Sequence, residues 1–318
     1  MALTADWVFE RTAERRSCHA ATIAELPSGD LLCAWYAGTR ELDPDVGILT
    51  ARRPMGAEAW EPAQVVVDSP ERAEGNPVLF AAPDGEVWLI YVTVYGEGWD
   101  FAKLKLRRSH DDGRTWGEEE VLSETLGWMP RNKPVMLSSG TILLPLYDER
   151  TWRSFFGLST DNGVTWRFTE PLASNPGNIQ PSVVERADTS LFALMRTGGQ
   201  GGTLWQTTSA DGGSTWAPLS ATVLPNPNSA ADMARLPNGD LVLVLNNSRE
   251  KRTPLSVARS RDEGTTWPVL RDLESAAGEY SYPAVIVDRH GLIHVVYTHQ
   301  RQRIKHVAFD EAWVEGGA

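Results

Sequence analysis

Cysteine is nearly absent from this chain, with two residues, Cys18 and Cys33, among 318. Two thiols cannot build the disulfide framework of a small secreted domain, and both are expected to be free in a reducing compartment. No run of about 18 apolar residues occurs, which excludes a membrane-spanning helix. The opening MALTADWVFERTAERR has no apolar stretch of signal-peptide length, so the expected location is the cytoplasm. Positive charge is also scarce. There are 30 Lys and Arg against 42 Asp and Glu, a formal net charge of −12. A general basic field for nucleic acid is excluded, and an anionic ligand would need a local cluster of Arg or Lys. Sustained helical periodicity is missing too. Alternating segments rich in β-branched and aromatic residues, broken at Gly, Pro, Asn and Asp turns, predict an all-β chain. No linker or composition break divides residues 1–318, which read as a single domain. Neither a metal nor a cofactor is expected.

What the chain does have is repetition. The phrase S-x-D-x-G-x-T-W occurs at Ser109–Trp116, Ser159–Trp166, Ser209–Trp216 and Ser260–Trp267, with first serines 50, 50 and 51 residues apart. A period near 50 marks an array of similar units, most often propeller blades. Within the phrase, Asp can accept hydrogen bonds from its own turn, Gly supplies a backbone angle other residues resist, and Trp is an apolar anchor. These aspartates are read as turn-holders, not catalysts. A second repeat is a turn followed by an apolar strand: Leu26–Tyr36, Ala82–Val92, Leu137–Tyr147, Glu185–Arg196, Leu236–Asn247 and Val287–Thr298. That makes six units, with decayed boxes expected to end at Trp60 and Trp313. Six units close a ring and leave no exposed sheet edge. The fold predicted is a six-bladed β-propeller with Asp-box repeats on one rim and the site on the other. Residues 1 to about 18 read as a polar lead-in.

These boxes resemble the Asp-box (BNR) repeats of the sialidase superfamily, and the resemblance runs from about Arg16 to Trp313. It implies the same six-bladed fold. It implies the chemistry less directly, because one fold hosts many reactions.

In a propeller the first strands open at the mouth of the axial channel, where small-molecule sites concentrate. The residues that open them are His19, Asn76, Arg131-Asn132-Lys133, Asn178 and Gln180, Asn228, and Tyr280 with Tyr282. Polar and basic openings in every unit predict a polar pocket. The far ends of the following strands add Arg40, Tyr147, Asp148, Arg196, Asn246, Asn247 and His299, and the loop Gly198–Gly202 could border the site. Sialidases hold the substrate carboxylate with three arginines and use a Tyr nucleophile helped by a Glu, with an Asp as acid and base. By that resemblance Arg196 and Arg252 are the second and third arginines, Tyr280 is the nucleophile, and Asp43 (or Asp45) is the acid. The position of the first arginine holds His19, and that of the Glu holds Gln180, which cannot take a proton. The catalytic set expected is therefore Tyr280, His19, Asp43 and Gln180. Arg196, Arg252, Arg131, Lys133, Asn76, Arg40 and Tyr282 are expected to bind substrate. Period-2 alternation turns Tyr282 the same way as Tyr280 and Glu279 the other way.

Three functions fit. One is a sialidase-like exo-glycosidase that removes a terminal acidic sugar. Another is a lyase or unconventional hydrolase acting on uronic-acid-terminated oligosaccharides through His19 and Tyr280. The third is a non-catalytic propeller that binds a glycan or a protein. The expected partner is an acidic sugar or oligosaccharide, with no nucleic acid and no membrane, and oligomeric state is left open.

Overall fold

A computed structural model describes residues 3–199 and 202–316. Gln200 and Gly201, in the Gly198–Gly202 loop singled out above, lie outside them. The strands sort into six antiparallel sheets. Blade 1 comprises Ser17–Glu25, Leu31–Gly38, Gly47–Arg53 and Gln64–Val67. Blade 2 comprises Glu74–Ala81, Val87–Val94, Ala102–Ser109 and Glu120–Ser123. Blade 3 begins with a broken inner strand, Trp128–Pro130 and Val135–Met136, followed by Ile142–Asp148, Arg153–Ser159 and Arg167–Phe168. Blade 4 is Asn178–Glu185, Leu191–Thr197, Gly202–Ser209 and Ser220–Asn226, and blade 5 is Asp232–Arg235, Leu241–Asn246, Leu255–Ser260 and Val269–Glu274. Blade 6 is Tyr280–Val287, Ile293–His299 and Arg303–Phe309, with Thr4–Glu10 as its fourth strand.

That last strand corrects the reading of residues 1–18 as a lead-in. Thr4–Glu10 pairs with Arg303–Phe309 and buries Val8 and Phe9. It closes the ring by supplying the outer strand of the last blade from the opposite end of the chain. A short edge strand with mixed polarity gives little local signal, and its partner lies about 300 residues away in sequence.

The Asp boxes are turn devices. In each, the Ser hydroxyl donates to the Asp carboxylate and accepts from the Gly amide, while the Thr hydroxyl donates to the other Asp oxygen at 2.6 Å. The Thr hydrogen bonds hold all four carboxyls below the ordinary carboxylate range. The boxes follow the third strands, on the rim opposite the one where the inner strands begin. The two decayed boxes sit in equivalent places. Trp60 follows the third strand of blade 1, and Trp313 lies in a one-turn helix, Glu311–Val314, capped by Asp310 after the third strand of blade 6. No helix among the described residues is long and apolar enough to cross a membrane. Cys18 and Cys33 are free and buried.

Candidate active site

The inner strands share one irregularity that builds the site. Their pairing slips between His19 and Thr22, Gly75 and Val78, Ile179 and Ser182, and Ser281 and Ala284. Within each slip one non-glycine residue takes a left-handed backbone: Ala20 (φ 56°), Asn76 (42°), Gln180 (57°) and Tyr282 (54°). Asn228 (59°) does the same ahead of the inner strand of blade 5. Each of the four slips is a bulge, which re-aims a side chain and frees ladder carbonyls. Blade 3 satisfies those carbonyls. Buried Arg131 donates to the carbonyls of Ala21, Tyr282 and Pro283, and Asn132 donates to those of Gln180, Pro181 and Ala231. The two side chains tie blades 1, 4, 5 and 6 together at the axis, as buried backbone acceptors require.

Asn76, Gln180 and Tyr282 line a cavity of about 190 Å³ at the mouth of the ring. Its arginines come from blades 4 to 6. Arg196 ends the second strand of blade 4, Arg252 lies in a connection of blade 5, and Arg301 lies in the second hairpin turn of blade 6. Its carboxylates, Glu41 and Glu149, come from blades 1 and 3, and its indoles, Trp99 and Trp152, from blades 2 and 3. The Tyr282 hydroxyl accepts from Arg196 at 2.7 Å and from Gln180 at 3.3 Å. Burial pushes this phenol up, but Arg196 and Arg252 together with the Gln180 hydrogen bond outweigh it and bring it below its ordinary value. Arg196 is further fixed by Gln180 Oε1 (3.1 Å) and Asn228 Oδ1 (2.6 Å). Glu279 joins Arg252 (2.8 Å) to Arg301 (3.0 Å), and Arg301 also pairs with Glu41. Burial raises Glu149 to about 7, with Arg196 opposing and Asp100, Asp148 and Glu41 adding to the rise. Among the described residues no group of three or more His, Cys, Asp or Glu is placed to hold a metal ion.

The family described as a BNR repeat-like domain matches residues 29–295. The chain belongs to this family. It is 26% identical to a sialidase of Micromonospora viridifaciens over 91% of its own length and 51% of that protein, so it spans about half of that relative. Among solved structures, the Hadza microbial sialidase Hz136 superposes with a TM-score of 0.83 at 21% identity, covering 97% of this chain and 69% of that one. A leech intramolecular trans-sialidase, complexed with 2,7-anhydro-Neu5Ac, superposes at 0.85 with 14% identity, covering 99% and 71%. The family match together with the Micromonospora relative places the chain in the sialidase superfamily, and the solved structures share its six-bladed propeller fold.

Within this BNR-repeat protein the structure gathers part of the expected constellation and disperses the rest. Arg196, Arg252, Gln180, Asn76 and Tyr282 meet at the cavity. Tyr280 does not. The bulge at Tyr282 breaks the alternation, so Tyr280 turns into the apolar cluster of blades 5 and 6, edge-on to His299 at 5.0 Å. His19 lies beneath the cavity, its ring tilted against that of Tyr282 with centroids 4.1 Å apart, and bonded to Thr298 at 2.9 Å. Burial, and then Arg301, Arg252, Arg131 and Arg196, push its imidazole well below the ordinary histidine range, which disfavours the charged form. Asp43 pairs with Arg40 at 3.0 Å, and the Arg40 side chain is 81% exposed. Neither lines the cavity. Arg131 is the axial carbonyl clamp already described, and Lys133 reaches down to buried Asp232 and the Met233 carbonyl, each at 2.8 Å. Sequence reasoning missed Arg301, Glu41, Glu149, Trp99 and Trp152. Glu149 directly follows Tyr147 and Asp148 and Arg301 lies two residues past His299, all residues noted as strand ends, so the turns beyond those ends were where to look.

Proposed function

We propose that this protein is a sialidase-like exo-glycosidase that removes a terminal, carboxylate-bearing sugar from a glycan, with Tyr282 as its nucleophile. The observation that carries the reading is the Tyr282 hydroxyl, held by Arg196 and Gln180 on the wall of a cavity where Arg252 and Arg301 also converge. A phenol is a weak nucleophile until a base or a positive field assists it. Here Gln180 cannot be that base, and the guanidinium field takes its place. Planar guanidinium forks suit a carboxylate better than ammonium groups do, and three of them face one side of the cavity. The sialidase names of its relatives support an acidic sugar as substrate. The buried free thiols support a reducing compartment.

The test is the product formed from 3′-sialyllactose and from uronic-acid-terminated oligosaccharides. The expected result is a free saturated acidic sugar, with Tyr282→Phe slower by about a hundredfold or more. Unchanged turnover in that variant would overturn the role of Tyr282. An unsaturated, ultraviolet-absorbing uronate would assign elimination instead. His19, the base named for that route, does not line the cavity. Binding without turnover would assign a binding module.

A further inference from the structure

We propose, on the reading of a glycoside-cleaving site given above, that Glu149 delivers the proton to the departing glycosidic oxygen, displacing the blade 1 loop acid from that role. The cavity is polarised. Blades 4, 5 and 6 contribute Arg196, Arg252 and Arg301, whereas blades 1 and 3 contribute Glu41 and Glu149. A sugar that sets its carboxylate against the arginines presents its remaining groups to blades 1 to 3. In a six-membered ring blade 3 stands opposite blade 6, so Glu149 faces Tyr282 across the cavity. Displacement at an anomeric carbon needs its nucleophile and its proton donor on opposite sides of the sugar.

The other acids are engaged. Asp43 is paired with Arg40 outside the cavity. Asp45 accepts the amide (2.9 Å) and the hydroxyl (2.8 Å) of Thr39. Glu41 pairs with Arg301 and accepts the Trp99 indole N–H at 3.2 Å. The Glu149 carboxyl takes part in no ion pair among the described residues. The groups that face it are Arg196 from blade 4, Asp100 from the blade 2 connection, Glu41 from blade 1, and Asp148 and Tyr147 from its own strand. Burial first, and then three carboxylates against one guanidinium, keep a proton on it near neutrality, as a general acid needs.

In the first step the Tyr282 oxygen, its proton passed to solvent, bonds to the anomeric carbon. The bond from that carbon to the aglycone oxygen breaks, and the oxygen takes the Glu149 proton, so the aglycone leaves as a neutral alcohol. In the second step water attacks the anomeric carbon and gives a proton to the Glu149 carboxylate, and Tyr282 departs as phenolate.

The experiment compares Glu149→Gln with wild type on 3′-sialyllactose, whose leaving group needs a proton, and on 4-methylumbelliferyl N-acetylneuraminide, whose leaving group does not. The variant is expected to lose about a hundredfold or more in kcat/KM on the first and less than about tenfold on the second. The alkaline limb of the wild-type pH profile should be absent from the variant. Glu149→Asp, which keeps a carboxyl, should recover part of the sialyllactose activity, and it carries the test if the Gln variant fails to fold. Equal losses on both substrates, or an unchanged alkaline limb, overturn the assignment of Glu149 and leave the glycosidase reading standing. A wild type inert on both overturns that reading, and the assignment with it.

Discussion

At the scale of single residues, two tyrosines two positions apart have different environments because one of them has φ 54°. Tyr280 is 3% exposed and packed among Val244, Val257 and Tyr297, whereas Tyr282 opens onto the arginines. Tyr280→Phe should therefore keep kcat/KM within about threefold of wild type. A loss as large as that of Tyr282→Phe would return Tyr280 to the mechanism. His19 is a packing residue that supports the Tyr282 ring. His19→Ala leaves a cavity and strips Thr298 of its partner, and it should lower stability by about 2–4 kcal/mol in urea unfolding. An unchanged unfolding midpoint with activity abolished would show that His19 acts in the chemistry.

At the scale of elements, the bulged inner strands and the interrupted inner strand of blade 3 are two halves of one device. The bulges turn Asn76, Gln180 and Tyr282 toward the cavity and leave carbonyls aimed at the axis, and the break in blade 3 releases Arg131 and Asn132 to cap them. Arg131→Met would leave three buried carbonyls without a donor, at about 1–3 kcal/mol each before relaxation. The expected result is a loss of about 3 kcal/mol or more in unfolding free energy, with substrate affinity reduced because Tyr282 loses its backbone anchor. A variant as stable as wild type would show that water replaces the guanidinium at the axis. This device could not be read from the sequence. The x-Pro pairs Asn76-Pro77, Gln180-Pro181 and Tyr282-Pro283 mark it, but strict alternation through them puts Tyr280 and Tyr282 on one side, and the bulge separates them.

At the scale of the whole molecule, the ring is fastened where its two chain ends meet. His294 and His306 are stacked with their nitrogens 3.0 Å apart, His294 also contacts Asp288 at 3.3 Å, and Arg53 of blade 1 and Asp6 of the closing strand flank His306. Burial lowers both imidazoles. For His306 the neighbouring His294 and Arg53 add to this, and for His294 Asp288 opposes it. His19 is lowered as well. Groups depressed in the fold bind protons more readily in the unfolded chain, so their stabilisation is full above the unfolded value of about 6.5 and declines as pH falls through it. The melting temperature should fall measurably between pH 7.5 and pH 5.5 (about the unfolded imidazole range), and His306→Gln should flatten that slope. A slope unchanged in the variant would place the acid sensitivity elsewhere.

The sequence by itself determined the architecture. Four boxes in register and six turn-and-strand units state a blade count, because each unit carries its own turn chemistry and its own apolar strand within about 50 residues. It also brought Arg196, Gln180 and Tyr282 forward as site residues, because they lie at strand ends that any propeller directs to its axis, and Arg252 through the family resemblance. The tertiary structure alone decided which of two tyrosines enters the cavity, which acids face it, that a third arginine arrives from a turn of blade 6, and that the first strand belongs to the last blade. Those outcomes depend on bulges and on contacts between blades far apart in sequence, and neither leaves a periodic signal in the chain.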